Sequence, residues 1–326
     1  MIVKNHDGPH ACLLPDGRRL HLQHGPIDLI VGAEGPLDEV SLAYHQAIES
    51  FQDVLETLVR ELDVLRRPCA PGNPIAQGTI ARLMQEHAQT HAERTFVTPM
   101  IAVAGAVADF VLGALTRGRS LDKAYVNNGG DIALMLTTNA VFEVGVCAEQ
   151  ELYHMPASIR VTHGDCVGGV ATSGWRGRSF SFGIADAVTV LARSATAADV
   201  AATLIANSVD VPNCPRIERM PASDLAPDCD LGARAVTVGV GVLSDGEVES
   251  AIDRGRREAL SMLRDRRICA AYLTLRGRAV MCGEPSISCD VEPSINSPRY
   301  ARAGLTPKLP AKRCGDTQLE SGASQG

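Results

Sequence analysis

Residues 100–115, MIAVAGAVADFVLGAL, are small or apolar on every helical face except at Asp109. A helix that is apolar all round has to be covered all round, so other layers of structure must enclose this one. Thr98-Pro99 supplies its start, with a hydroxyl residue at the cap and proline at the first helical position. Pro99 and Asp109 interrupt the apolar run, and its length is short for a membrane span. The expectation is therefore a core helix, with no membrane partner.

The covering layers can be read on either side. Aromatic residues make up only 4% of the 326-residue chain, so the core relies on close packing of Ala, Val, Leu and Gly, helix directly on sheet. Residues 18–33 read as two strands joined at His24-Gly25-Pro26. Residues 37–67 read as one long helix. Tyr44, Ile48, Phe51, Leu55, Leu58, Leu62 and Leu65 form its apolar stripe, and Pro68 ends it. Further strands are expected over 124–126, 131–136, 140–147, 159–162, 187–192 and 235–242, and a further helix over 197–208. Ser244 with Glu247 three residues on predicts a capping box opening a helix that runs to 263. A closing hairpin across Gly277 follows. Apolar periodicity stops after Cys289, which predicts one domain over 1–289 and a mobile, disordered tail over 290–326. The fold class is α+β, with mixed or antiparallel sheets packed against several helices.

The net charge of −7 and the lack of a Lys/Arg run argue against nucleic acid as a partner. The polar N-terminus has no apolar signal core, and the ten cysteines are scattered singly without a C-x-x-C. Both features predict a cytoplasmic, reducing location. No zinc site is supported by the cysteine spacing.

Three segments could carry chemistry. Asn127-Asn128-Gly129-Gly130-Asp131 joins two strands, and its glycines permit positive φ and an anion-binding nest of N–H groups. The same residues also read as a plain hairpin turn, the commoner use of Asn-Gly. Thr172-Ser173-Gly174-Trp175, followed by Arg176 and Arg178, suits a phosphate beside a flat ring; a surface loop looks the same. Asp199 and Thr203, four apart, share one helical face and could give two oxygens to Mg²⁺. Alternatively, Thr196 is an N-cap and Asp199 a first-turn acid. No Ser–His–Asp or Cys–His set can be assembled from spacing, and no catalytic residue is assigned.

Taken in order, these segments resemble the ApbE-like superfamily, whose characterised members are FAD:protein FMN transferases. Its G-x-A-K-G-Y-A-x-D helix corresponds to 103–109, and its N-x-G-G-D turn to 127–131. Its T-S-G corresponds to 172–174, its S-V-T-V strand to 187–190 and its D-A-L-x-T helix to 199–203. The flanks resemble a branch of uncharacterised cytoplasmic proteins, some members of which have been linked to sulfur assimilation. The resemblance implies an ApbE-like fold, with Mg²⁺ and FAD or FMN as cofactors. It further implies a flavin or nucleotide partner held by Asn127, Asn128, Gly129, Gly130, Asp131, Thr172, Ser173 and Gly174, and a metal on Asp199 and Thr203. Two departures stand out. Ala104 occupies the transferase lysine position, and the H-x-x-D-P segment after T-S-G is replaced by 177–183, GRSFSFG. Transferase-like activity and a non-catalytic binding or assembly role thus both stand, and homo-oligomerisation is left open.

Overall fold

A computed structural model describes residues 8–146 and 157–283. The strands are β1 (His10–Leu13), β2 (Leu20–His24), β3 (Ile27–Glu34), β4 (Lys123–Asn128), β5 (Asp131–Leu136), β6 (Val141–Val146), β7 (Ala157–Thr162), β8 (Gly169–Ser173), β9 (Ala187–Ala192), β10 (Ile217–Pro221), β11 (Ala235–Val240), β12 (Ala270–Leu275) and β13 (Arg278–Cys282). The helices are α1 (Leu37–Phe51), α2 (Val54–Arg60), α3 (Leu62–Leu65), α4 (Thr79–Gln89), α5 (Val103–Thr116), α6 (Ala195–Ser208), α7 (Ala222–Leu225) and α8 (Asp245–Arg264). Nine strands form one sheet in the order β1-β2-β3-β4-β5-β8-β9-β12-β13. Every pairing within it is antiparallel. The α+β class expected from the sequence is the one observed. All described residues belong to the compact unit Met1–Cys289; the tail expected over 290–326 lies outside them.

Side chains alternate between the two faces of the sheet. Leu22, Leu29, Val31, Val126, Ala133, Ala171, Val188 and Val190 point to the helical layer and share its core with α1, α5, α6 and α8. Leu134, Val170 and Leu191 point the other way, where Val144, Ile159 and Val161 of the β6–β7 hairpin cover them. β9 is buried along its whole length because both of its faces are covered.

The apolar helix α5 lies within the helical layer. Residues Pro99–Thr116 are long and apolar enough, with a mean hydropathy of 1.8, to meet the length and composition of a membrane span. Here they pack against α1, α4, α6 and strands β4 and β5. Gly105 explains how α5 meets α6 so closely. A Cβ there would overlap the Ala195 carbonyl and stand 2.7 Å from the Thr196 nitrogen.

Some local expectations change. The helix expected over 37–67 is broken into α1, α2 and α3 at Asp53 and Glu61, both near φ −110°. Glu61 leaves the helical path, and its carboxylate accepts the N–H groups of Gln77 (2.6 Å) and Gly78 (2.7 Å), fastening the start of α4. Thr98 does not cap its helix: its hydroxyl donates to Asp230, and a 3₁₀ turn at Pro99–Ala102 leads into α5. The predicted capping box forms, with Ser244 and Glu247 reciprocally bonded at the start of α8. β11 stands apart from the large sheet, paired with β10.

Candidate functional site

The three segments singled out in the sequence converge where α5 and α6 meet the sheet. The β4–β5 connection is a tight turn in which Gly129 and Gly130 take φ of +66° and +117°. Asn127 closes it, its Oδ1 accepting the Gly130 N–H at 2.8 Å. Asn128, almost fully buried, ties the turn to the start of α5 by donating to the Ala104 carbonyl at 3.1 Å. Gly129 also leaves room for Arg178, whose guanidinium lies where a Cβ would stand.

The two helices hold each other's N-termini. Asp109, two turns into α5, accepts the α6 N–H groups of Ala195 (3.0 Å) and Thr196 (2.8 Å) and the Thr196 hydroxyl (2.6 Å). Asp199, one turn into α6, accepts the Gly105 N–H of α5 at 3.0 Å. Carboxylates suit both positions, because a helix N-terminus presents unpaired N–H groups and the positive end of its dipole. The N-cap of α6 is Ser194, whose hydroxyl accepts the Ala197 N–H, rather than Thr196. Asp199 is therefore an interior residue of α6, and Thr203 follows it on the same face of the same helix.

Asp131, the first residue of β5, faces the helical layer near Asp199. Burial pushes its carboxyl up to about 7, against the opposing pull of Arg178 and the Thr172 backbone N–H. Asp199 is raised well above the usual carboxylate range, first by burial, then by the Asp131 and Asp109 charges, with the Gly105 and Ala104 N–H groups opposing. Two carboxylates thus repel one another in a poorly hydrated place, an arrangement that a cation relieves. Among the described residues no three His, Cys, Asp or Glu side chains form a metal cage. A carboxylate pair with the Thr203 hydroxyl one turn on still suits Mg²⁺, which takes few protein ligands.

The T-S-G segment divides. Thr172 pairs with Thr189 in the β8–β9 register, and their hydroxyls bond at 2.8 Å on the sheet face away from α6. Only the Thr172 backbone N–H reaches Asp131. Ser173 lies on the helical side of the strand by alternation. Gly174 packs against backbone, since a Cβ there would stand 3.0 Å from the Ala185 carbonyl oxygen. Arg176 stacks over Trp175, whose buried indole N–H has no partner among the described residues. Two cavities, of about 310 Å³ beside α2 and α4 and about 530 Å³ between α6 and α8, contain none of these site residues.

One consequence concerns pH. A carboxyl raised in the folded state binds its proton more tightly there than in the unfolded chain. Its contribution to stability is full below about pH 4 and is lost as pH rises through about 7. Asp131→Asn should flatten the fall in unfolding free energy over that range, by up to about 1.4 kcal/mol per pH unit. Chemical denaturation of both proteins from pH 4 to 8 checks this; parallel profiles would contradict the burial of Asp131.

The site thus joins an antiparallel sheet with a glycine turn, two helix N-termini held by each other's carboxylates and a partly buried acid pair. Residues 11–281 match the family described as AbpE bacteria, and the chain belongs to that family. It is similar to a UPF0280 protein of Methanothrix thermoacetophila, 40% identical over 121 residues, covering 36% of this chain and 49% of that one. A UPF0280 protein of Methanothermobacter thermautotrophicus is 36% identical over 139 residues, covering 43% and 52%. The matched stretches thus span about half the length of these relatives. Among solved structures it is similar to the apo flavinyl transferase ApbE of Pseudomonas stutzeri, at 12% identity and a TM-score of 0.46, covering 85% of this chain and 95% of that chain.

Proposed function

We propose that this protein binds a flavin or another nucleotide by its phosphates, together with a divalent cation, at the junction of α5, α6 and the β4–β5 turn. The observation that carries this reading is the facing pair Asp131 and Asp199, partly buried beside two helix N-termini. Asp199 and Thr203 would hold the metal, with Asp131 beside them, and the 127–131 turn would meet the phosphates. A bound Mg²⁺ would neutralise charge on a phosphoanhydride.

The chain's own residues favour binding over transfer. Ala104 offers no ammonium group where the transferases carry lysine, and 175–183 contains no histidine. Arg178 lies over Gly129 and acts on Asp131. It is suited to holding a phosphate and ill suited to moving a proton. A role in binding or assembly without flavin transfer is the form of the proposal that these substitutions support.

Incubation of the pure protein with FAD and Mg²⁺ tests it. The expected result is a metal-dependent rise in melting temperature with FAD or ADP, without AMP release and without covalent flavin on a threonine acceptor. AMP release would restore the transferase reading. No thermal response to any nucleotide–metal pair would remove the site.

A further inference from the structure

A second constellation lies on the opposite face of the large sheet, at its β1 edge. β1 pairs with β2 so that Cys12 stands opposite His21, and β2 pairs with β3 so that His21 and Asp28 fall on the same face. The Cys12 thiol and His21 Nδ1 are 3.9 Å apart. His21 Nε2 and Asp28 Oδ1 are 2.9 Å apart. With the Nε2 proton donated to the carboxylate, the lone pair on Nδ1 faces the thiol. A nucleophile, a base and a residue orienting that base are thereby aligned across three adjacent strands. Cys12 and Asp28 are exposed, and the β6–β7 hairpin that covers this sheet face packs farther along it, over β5, β8 and β9.

The other cysteines differ. Burial pushes the thiols of Cys69, Cys269 and Cys282 up, away from the reactive thiolate form. Cys166 is exposed, like Cys12, and its backbone N–H donates to the His163 carbonyl, but among the described residues no histidine ring is bonded to its thiol. The Cys214 thiol donates to the Glu247 carboxylate at 3.9 Å, and among the described residues Cys12 is the cysteine whose thiol is paired with a histidine ring.

We infer that Cys12 is an activated thiol that exchanges with low-molecular-weight disulfides, with His21 as its base and Asp28 as a positioning residue. In the step, the thiol proton passes to His21 Nδ1 and the Cys12 sulfur attacks one sulfur of R–S–S–R. The S–S bond of the reagent breaks and Cys12–S–S–R forms. The departing RS⁻ takes the proton back from His21 and leaves as RSH. The Cys12 sulfur is oxidised and the leaving sulfur reduced. This site is separate from the one between α5 and α6, and its test is independent of nucleotide binding.

The experiment follows mixed-disulfide formation at Cys12 in the full chain by peptide mass spectrometry, with glutathione disulfide as the probe at pH 7. The reference is the same cysteine in urea-unfolded protein, where access is complete and the strand register is gone. Cys12 should react about tenfold or more faster in the folded protein than in the unfolded one. It should also outpace Cys166. His21→Gln, checked for folding by circular dichroism, should bring the folded rate down to the unfolded one, and Asp28→Asn should fall between. A folded rate at or below the unfolded rate overturns the inference without any variant. A His21→Gln rate equal to that of the wild type overturns the role of the base.

Discussion

Asp109→Ala should destabilise the protein by about 2–4 kcal/mol. Asp109 sits on α5 but serves α6, accepting two backbone N–H groups and one hydroxyl there. Its removal leaves those N–H groups without their carboxylate partner in the tight junction that Gly105 makes with Ala195 and Thr196. Ser194 still caps one N–H of α6, so the helix should shorten its first turn rather than unfold. Asp109→Asn keeps one acceptor oxygen and should lose about half as much. Urea denaturation of the three proteins measures this. A change in unfolding free energy below about 0.5 kcal/mol for Asp109→Ala would show that the junction is not held this way. The ending of the G-x-A-K-G-Y-A-x-D motif would then need another explanation than helix capping.

Much of this arrangement is legible in the sequence because the signals are local. Asn-Gly-Gly marks the β4–β5 turn, Ser244 with Glu247 marks the start of α8, and Gly277 marks the last hairpin. What is not legible is set by distant partners. The apolar stripe over 44–65 predicts one helix, yet Glu61 is drawn out of it by N–H groups at 77 and 78. α4 is missed because polar side chains dilute its buried stripe of Ile80, Ala81, Met84 and Ala88. Thr172 reads as a ligand residue until the β8–β9 register turns its hydroxyl toward Thr189. Cys12, His21 and Asp28 show no spacing rule at all, since hairpin register alone brings them together. Asp199 shows the opposite limit. Its helical partner Thr203 is visible from the sequence, but the Gly105 N–H that it also serves is 94 residues away.

That double duty makes Asp199 the most informative residue to change. Its carboxylate accepts the Gly105 N–H and also faces Asp131. Asp199→Ala removes both relations; Asp199→Asn keeps an acceptor oxygen for Gly105 and removes the charge. Because burial and the Asp131 and Asp109 charges raise the Asp199 carboxyl, ionising it weakens the fold as pH rises. Without metal, Asp199→Asn should therefore equal or exceed the wild type in stability at pH 8, while Asp199→Ala should fall below it. With Mg²⁺ and FAD or ADP the wild type should rise above both variants. A bound metal would displace the proton from the wild-type carboxylate and stabilise the protein, whereas neither variant offers the Asp199 charge. Nucleotide affinity in Mg²⁺ should drop at least tenfold, or about 1.4 kcal/mol, in both variants. Thermal melts and titration calorimetry with and without Mg²⁺ read these effects. An Asp199→Asn protein that keeps the full metal-dependent gain would leave Asp199 as a helix cap for α5 alone.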